Sequence, residues 1–134
     1  GFGFAGHIPE RDALVAGVFL LDLMVKLNRP MSGVLDYLRD KVGPRFYHRW
    51  DVEFPADKRE AIAQRVATAA PKEIDGSPVA SVNTIDGYKW SLEDGSWLLI
   101  RFSGTEPLLR IYTETNSAER VERILTAGKE LAGA

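Results

Sequence analysis

The chain reads as an α+β domain: a mostly antiparallel sheet packed by helices, preceded by one helix from another domain. Three observations predict this. Helical and strand periodicities follow one another along the chain, with most extended segments gathered in its second half. Three Asp-Gly pairs, Asp75-Gly76, Asp86-Gly87 and Asp94-Gly95, punctuate that half, each a tight-turn signal between extended segments. An amphipathic run closes the chain with Val121, Ile124, Leu125, Gly128 and Leu131 on one face, enough to cover one side of a sheet.

Length and composition set the bounds. A chain of 134 residues, 45% hydrophobic and 27% charged, is long enough for one ordinary domain with its own core and is neither disordered nor membrane-like in composition. A net charge of −2 provides no general basic field for nucleic acid, so attraction for an anion has to be local. With no cysteine there are no disulfides or thiolate metal sites, which fits a reducing cytoplasm. The two histidines, His7 and His48, lie far apart without ligand spacing, so no His-based metal site is expected. The chain opens at Gly1 without an initiator Met, a charged leader or a cleavage pattern, and reads as a fragment.

The elements follow in order. Ala13 to Leu27 is apolar except for Gly17, Asp22 and Lys26. It is too short and too interrupted to span a bilayer, which takes about 20 apolar residues, and reads as a helix buried on nearly all sides. Pro9 is allowed in its first turn, and Glu10 and Asp12 suit the positive end of its dipole. The rest of the chain can cover only part of such a helix, so covering protein is missing or the face is an oligomer interface. Asn28-Arg29-Pro30 breaks the helix and marks a domain boundary. Ser32 is a candidate N-cap for a second helix with Val34, Leu35, Leu38 and Val42 on its apolar face, ended by Gly43-Pro44.

Phe46 to Phe54 alternates, with Phe46, His48, Trp50, Val52 and Phe54 on one side, and predicts a half-buried strand in which His48 is structural rather than a ligand. Asp57 and Glu60 have capping-box spacing and open a helix through Ile62 and Val66 to the Ala69-Ala70-Pro71 stop, with Lys58, Arg59, Glu60 and Arg65 on a solvated face. Val79 to Ile85 and Tyr88 to Leu92 are strands. Asn116 with Glu119 repeats the capping-box spacing ahead of the final helix. The Asp-Gly pairs lack the oxygen-ligand spacing of a calcium loop.

The stretch Trp97 to Thr115 carries the chemistry. Two runs rich in β-branched, aromatic and leucine residues flank the connector Ser103 to Pro107, predicting a hairpin with a polar tip. Ser103, Gly104 and Thr105 offer two hydroxyls and backbone N–H groups, and Gly104 can take positive φ and admit a ligand close to the backbone. Arg101 shares a face with Ser103 in an extended strand, and Arg110 leaves from the returning strand. Two guanidinium forks beside such donors suit a phosphate. On chemistry alone this reading stands level with its alternative, a Gly-containing turn whose arginines are solvated or paired with Glu106 or Glu114.

The run Arg101-Phe102-Ser103-Gly104-Thr105-Glu106-Pro107-Leu108-Leu109-Arg110 resembles the phosphate-binding loop in the last domain of the α-D-phosphohexomutases, the phosphoglucomutase and phosphomannomutase family. A second resemblance lies in Gly3 to Ala13, which is similar to the stretch after that family's glutamate–serine sugar-recognition loop, leading into the last helix of its third domain. The resemblance implies that residues 1–29 end the third domain and residues 30–134 form the fourth. It implies interconversion of hexose 1-phosphate and 6-phosphate through a bisphosphorylated sugar and a phosphoserine enzyme with Mg²⁺. Arg101, Ser103, Gly104, Thr105 and Arg110 would hold the phosphate that is not being transferred. His7 is a further sugar-site candidate, although a capping or packing role weighs more.

The family's nucleophilic serine and metal-binding aspartate loop match nothing in this chain, and Ser32, Ser77, Ser81 and Ser91 sit in cap, turn or strand contexts without a base. No catalytic residue and no metal or cofactor ligand is therefore assigned, and the chain alone is expected to be inactive. The implied partners are a phosphosugar and the missing N-terminal domains of the same protein, in the cytoplasm, with no nucleic acid or membrane. The loop recurs in phosphoglucosamine mutases and does not name the sugar. The competing reading is a stand-alone module that captures a phosphorylated metabolite or docks to a protein through its apolar N-terminal helix.

Overall fold

A computed structural model describes residues 3–134, in two compact units divided between Gly43 and Pro44. Gly1 and Phe2, on which the reading of the chain as a fragment rests, lie outside the described residues. The division falls beyond Asn28-Arg29-Pro30, the boundary that the resemblance implies for the parent's domains.

The first unit is a pair of helices. Helix α1 (Ala13–Leu27) starts where the Asp12 carboxylate accepts from the N–H groups of Leu14 and Val15, and ends at Asn28 in the left-handed conformation. Asp12 is thus the N-cap, and Pro9 and Glu10 precede the helix. No residue of α1 is buried within the chain, with Leu14 84% and Val25 79% exposed. The burial that its composition calls for is not provided by its own unit, which offers it α2 (Met31–Val42) and a stacking contact of Phe4 on Phe19. The N-cap of helix α2 is Pro30 rather than Ser32, because the Pro30 carbonyl already accepts from the Val34 N–H. Ser32 lies inside the first turn.

The second unit is one sheet covered by two helices. Strand β1 (Phe46–Glu53) is followed by a single 3-10 turn at Ala56–Lys58 and by helix α3 (Arg59–Thr68). The Asp57–Glu60 capping box is not formed: Asp57 is within the 3-10 turn and no side chain caps α3. Strands β2 (Glu73–Ile74), β3 (Ser77–Asn83), β4 (Tyr88–Leu92), β5 (Trp97–Phe102) and β6 (Leu108–Thr115) lead to helix α4 (Ala118–Ala132). The sheet order is β1-β6-β5-β4-β3-β2 and every pairing is antiparallel. The α+β reading therefore holds.

Each of the three Asp-Gly turns has its glycine at positive φ, Gly76 at 73°, Gly87 at 95° and Gly95 at 81°. Alternation in β5 and β6 sends Leu98 and Ile100, and Leu109 and Ile111, to one face, where they are fully buried. They pack with Trp90 and Leu92 of β4 under Val121, Ile124 and Leu125 of α4 and Ile62 and Val66 of α3. Each such side chain contributes about 1.5–3 kcal/mol by leaving water. His48 is exposed rather than part of this core. Strand β1 is at the sheet edge, and only its second half, with Trp50 and Val52, packs against the core.

Candidate functional site

The register of β5 with β6 pairs Arg101 with Arg110 and Phe102 with Leu109, leaving Ser103 to Pro107 as the connecting loop. Because Ile100 and Ile111 point into the core, their neighbours Arg101 and Arg110 share the opposite face. Directly opposed side chains in an antiparallel pair have Cβ atoms about 4.5–5.5 Å apart, and like charges there are destabilising. Arg101 is partly neutralised by Asp86, 3.2 Å away in a pair that is exposed on both sides. Asp51 is opposite Arg110 on β1, but its carboxylate is engaged with Arg49 at 2.9 Å. The Nε of Arg110 is buried and has no hydrogen-bond partner among the described residues. A buried guanidinium N–H without an acceptor is costly, and an anion between the two arginines would relieve both that cost and the repulsion.

The loop beside them exposes backbone donors. The Ser103 N–H is taken by the Leu108 carbonyl at 2.8 Å, closing the loop, and the Leu108 N–H bonds back to the Glu106 carbonyl. Among the described residues, the N–H groups of Gly104, Thr105 and Glu106 donate to no protein acceptor. Gly104 and Thr105 are exposed, whereas Ser103 is only 5% exposed. The strand ends at Phe102, so the alternation that would put Ser103 beside Arg101 stops one residue short. Gly104 does not use the left-handed conformation open to glycine, and a Cβ there would meet nothing within 4 Å. Its contribution is an uncovered backbone rather than an unusual φ.

The structure brings Arg101, Ser103, Gly104, Thr105 and Arg110 together on one hairpin. His7 belongs to the other unit, where its Nε2 lies 2.9 Å from Oδ2 of the N-cap Asp12. The Val15 N–H first, and His7 next, hold the Asp12 carboxyl below its ordinary range. Two further residues reach this hairpin that the sequence reading gave no site role, Arg59 on a solvated face and Asp86 in a turn. Arg59 donates from Nη2 to the Ser103 carbonyl at 3.0 Å. Asp86 reaches Arg101 because Gly87 brings the β3–β4 turn close to β5: a Cβ on Gly87 would lie 2.6 Å from the Ile100 carbonyl oxygen and 3.1 Å from the Arg101 Cβ. The Asp86-Gly87 dipeptide was the available signal for the second; nothing local to Arg59 pointed to the first.

Comparison with known proteins places the chain in a family. A family model described as the phosphoglucomutase/phosphomannomutase C-terminal domain matches residues 56–129. A probable phosphoglucosamine mutase of Methanothermobacter thermautotrophicus is 39% identical over 119 residues, covering 84% of this chain and 24% of that protein. A phosphoglucomutase/phosphomannomutase of Thermococcus kodakarensis is 30% identical over 131 residues, covering 98% of this chain and 26% of its own length. The chain thus spans about a quarter of the length of these curated relatives. The fold is similar to that of a phosphoglucomutase/phosphomannomutase family protein from Burkholderia thailandensis, with a TM-score of 0.62 at 19% identity over 90% of this chain and 23% of that one. The chain belongs to the phosphoglucomutase/phosphomannomutase family, and residues 56–129 carry the match to its C-terminal domain.

Proposed function

We propose that this chain supplies the phosphate clamp of a phosphohexomutase, an enzyme that interconverts hexose 1-phosphate and 6-phosphate through a bisphosphorylated sugar. Arg101 and Arg110 grip the phosphate that is not being transferred, and the Gly104 and Thr105 N–H groups with the Thr105 hydroxyl complete its coordination. The observation that carries this reading is the pairing of two arginines across one hairpin, one of them with a buried Nε that lacks a protein acceptor.

The clamp acts by positioning. Phosphoryl transfer depends chiefly on alignment and charge stabilisation, so a group held at a fixed anchor presents its other end to the transferring serine. Guanidinium and N–H donors make no distinction between the two phosphates of a bisphosphate, which lets the intermediate rebind in either orientation. The serine and the Mg²⁺ site are assigned to the remainder of the parent protein, and this chain alone is inactive. Among the described residues no three His, Cys, Asp or Glu side chains gather where they could hold a metal, and the role proposed here runs through none. The apolar, uncovered side of α1 is the face that the remainder of the parent packs against. No helix among the described residues is long and apolar enough to cross a membrane.

The test is a titration of inorganic phosphate into the chain, read from amide resonances. Shifts confined to Gly104, Thr105 and their neighbours are expected. Arg110→Met should weaken binding about 10- to 100-fold, the equivalent of one charge-assisted bidentate contact. Shifts spread over the surface, or an unaltered affinity in the variant, would remove the clamp.

A further inference from the structure

Arg59 is the first residue of α3, directly after the 3-10 turn that follows Phe54-Pro55. Its guanidinium makes two contacts with the strand end that leads into the loop. Nη2 donates to the Ser103 carbonyl at 3.0 Å, and Cζ lies 5.2 Å from the centroid of the Phe102 ring. Phe102 in turn meets the buried Phe54 edge-on at 6.0 Å, so the platform under the guanidinium is anchored in the core. The far end of the loop is tied by the same segment, through the Phe54 N–H on the Pro107 carbonyl at 3.2 Å. No carboxylate is within ion-pair distance of Arg59 among the described residues.

The consequence lies in the peptide plane. The Ser103–Gly104 bond is trans, like all the described peptide bonds, so its C=O and N–H point in opposite directions. Holding the Ser103 carbonyl toward α3 turns the Gly104 N–H away from α3, where it has no protein acceptor. The Ser103 N–H is already used within the hairpin, so the Gly104 N–H is the first donor the loop has free. Left unrestrained, a peptide plane beside a glycine would rotate readily, and the donor would have to be ordered each time an anion bound.

We propose that Arg59 is a positioning residue of the phosphate clamp, setting the direction of the Gly104 N–H through the Ser103 carbonyl without touching the phosphate itself. This role rests on the clamp proposed above. It predicts that removing the guanidinium weakens phosphate binding through donor geometry rather than through loss of a positive charge.

The experiment compares the wild-type chain with Arg59→Met and Arg59→Lys. Residual dipolar couplings report the Gly104 N–H direction without ligand, and inorganic phosphate is then titrated at low and at high salt. In Arg59→Met the Gly104 coupling should change while couplings in β4 and α4 do not, and phosphate should bind about 5- to 10-fold more weakly. The ratio of wild-type to variant affinity should persist at high salt, because geometry is not screened whereas a through-space charge effect is. Arg59→Lys, which can still donate to the carbonyl, should recover part of the affinity and most of the coupling. An unchanged Gly104 coupling, an unchanged affinity, or a ratio that collapses to one in salt would each overturn the assignment. A wild-type chain that binds no phosphate at Gly104 would instead overturn the clamp, and the role of Arg59 with it.

Discussion

Arg101 faces two claims on its charge. Arg110 opposes it across the strand pair, and Asp86 at 3.2 Å occupies one side of its fork. An exposed pair of this kind is worth about 0.2–1 kcal/mol, so Asp86 orients the arginine without locking it. A doubly charged oxyanion entering between the two arginines has to displace or share that contact. Asp86→Asn should therefore tighten phosphate binding about two- to five-fold at low salt, read from the same amide titration. Weaker binding would mean that Asp86 holds Arg101 in its binding conformation rather than competing for it. Arg110 differs because its Nε is already buried without an acceptor, so it gains more from the anion than Arg101 does.

Helix α4 and the hairpin depend on each other through one glycine. A Cβ on Gly128 would lie 2.7 Å from the Ile111 Cγ2 and 2.8 Å from the Leu98 Cδ1, so the helix backbone rests directly on the two strands that carry the arginines. Helix propensity alone favours alanine there by about 1 kcal/mol. Overpacking a well-filled core costs about 1–3 kcal/mol, and both opposing groups are fully buried and cannot swing aside. Packing should win. Gly128→Ala is expected to lower stability by about 1 kcal/mol, or a few degrees in Tm, measured by thermal denaturation. A rise in Tm would mean that α4 can lift off the sheet at little cost.

The second unit is tied together at the edge of its sheet by an ion-pair network around Arg120 of α4. Its Nε meets Asp75 at 2.8 Å in the β2–β3 turn, its Nη1 bonds Asp94 in the β4–β5 turn, and Arg123 reaches Asp75 at 2.7 Å. Arg120 and Asp75 are 15% and 13% exposed, so the centre of this network is shielded from solvent, whereas Arg123 is 56% exposed. Bonds from Arg123, against the cost of desolvation, and then from Arg120 hold the Asp75 carboxyl below its ordinary value. Desolvation pushes Asp94 up, but the Ser96 N–H, Arg120 and the Ser96 and Ser77 hydroxyls outweigh it and bring Asp94 to about 2 from an ordinary 3.8. Both carboxyls titrate lower in the folded chain, so their stabilisation is complete above the unfolded value and falls as pH drops below it; for Asp94 it is lost as pH falls through its folded value of about 2. Arg120→Met should cost about 1–3 kcal/mol at neutral pH by leaving Asp94 without an arginine and Asp75 with Arg123 alone, and the loss should shrink toward pH 2. Urea midpoints at both pH values measure it; a penalty independent of pH would assign the effect to packing of the side-chain stem.

Much of the second unit was legible because its signals are local. A period of two puts Arg101 and Arg110 on the face opposite Ile100 and Ile111 once the hairpin is closed, and the three Asp-Gly pairs mark turns whose glycines all take positive φ. Those short-range preferences were enough to yield β1 and β3 to β6, a mostly antiparallel sheet and the candidate loop, but neither β2 nor the order of the strands. Helix starts were less legible, since Pro30 and the 3-10 turn at Ala56–Lys58 displaced the side-chain caps proposed at Ser32 and Asp57. What packing alone decided was the setting of the loop's polar groups: the Arg110 Nε is buried, and Arg59 grips a carbonyl 44 positions away. Such contacts join segments that have no influence on each other's local conformation, so no periodicity or turn propensity encodes them; they exist only once the core has brought α3 against the end of β5.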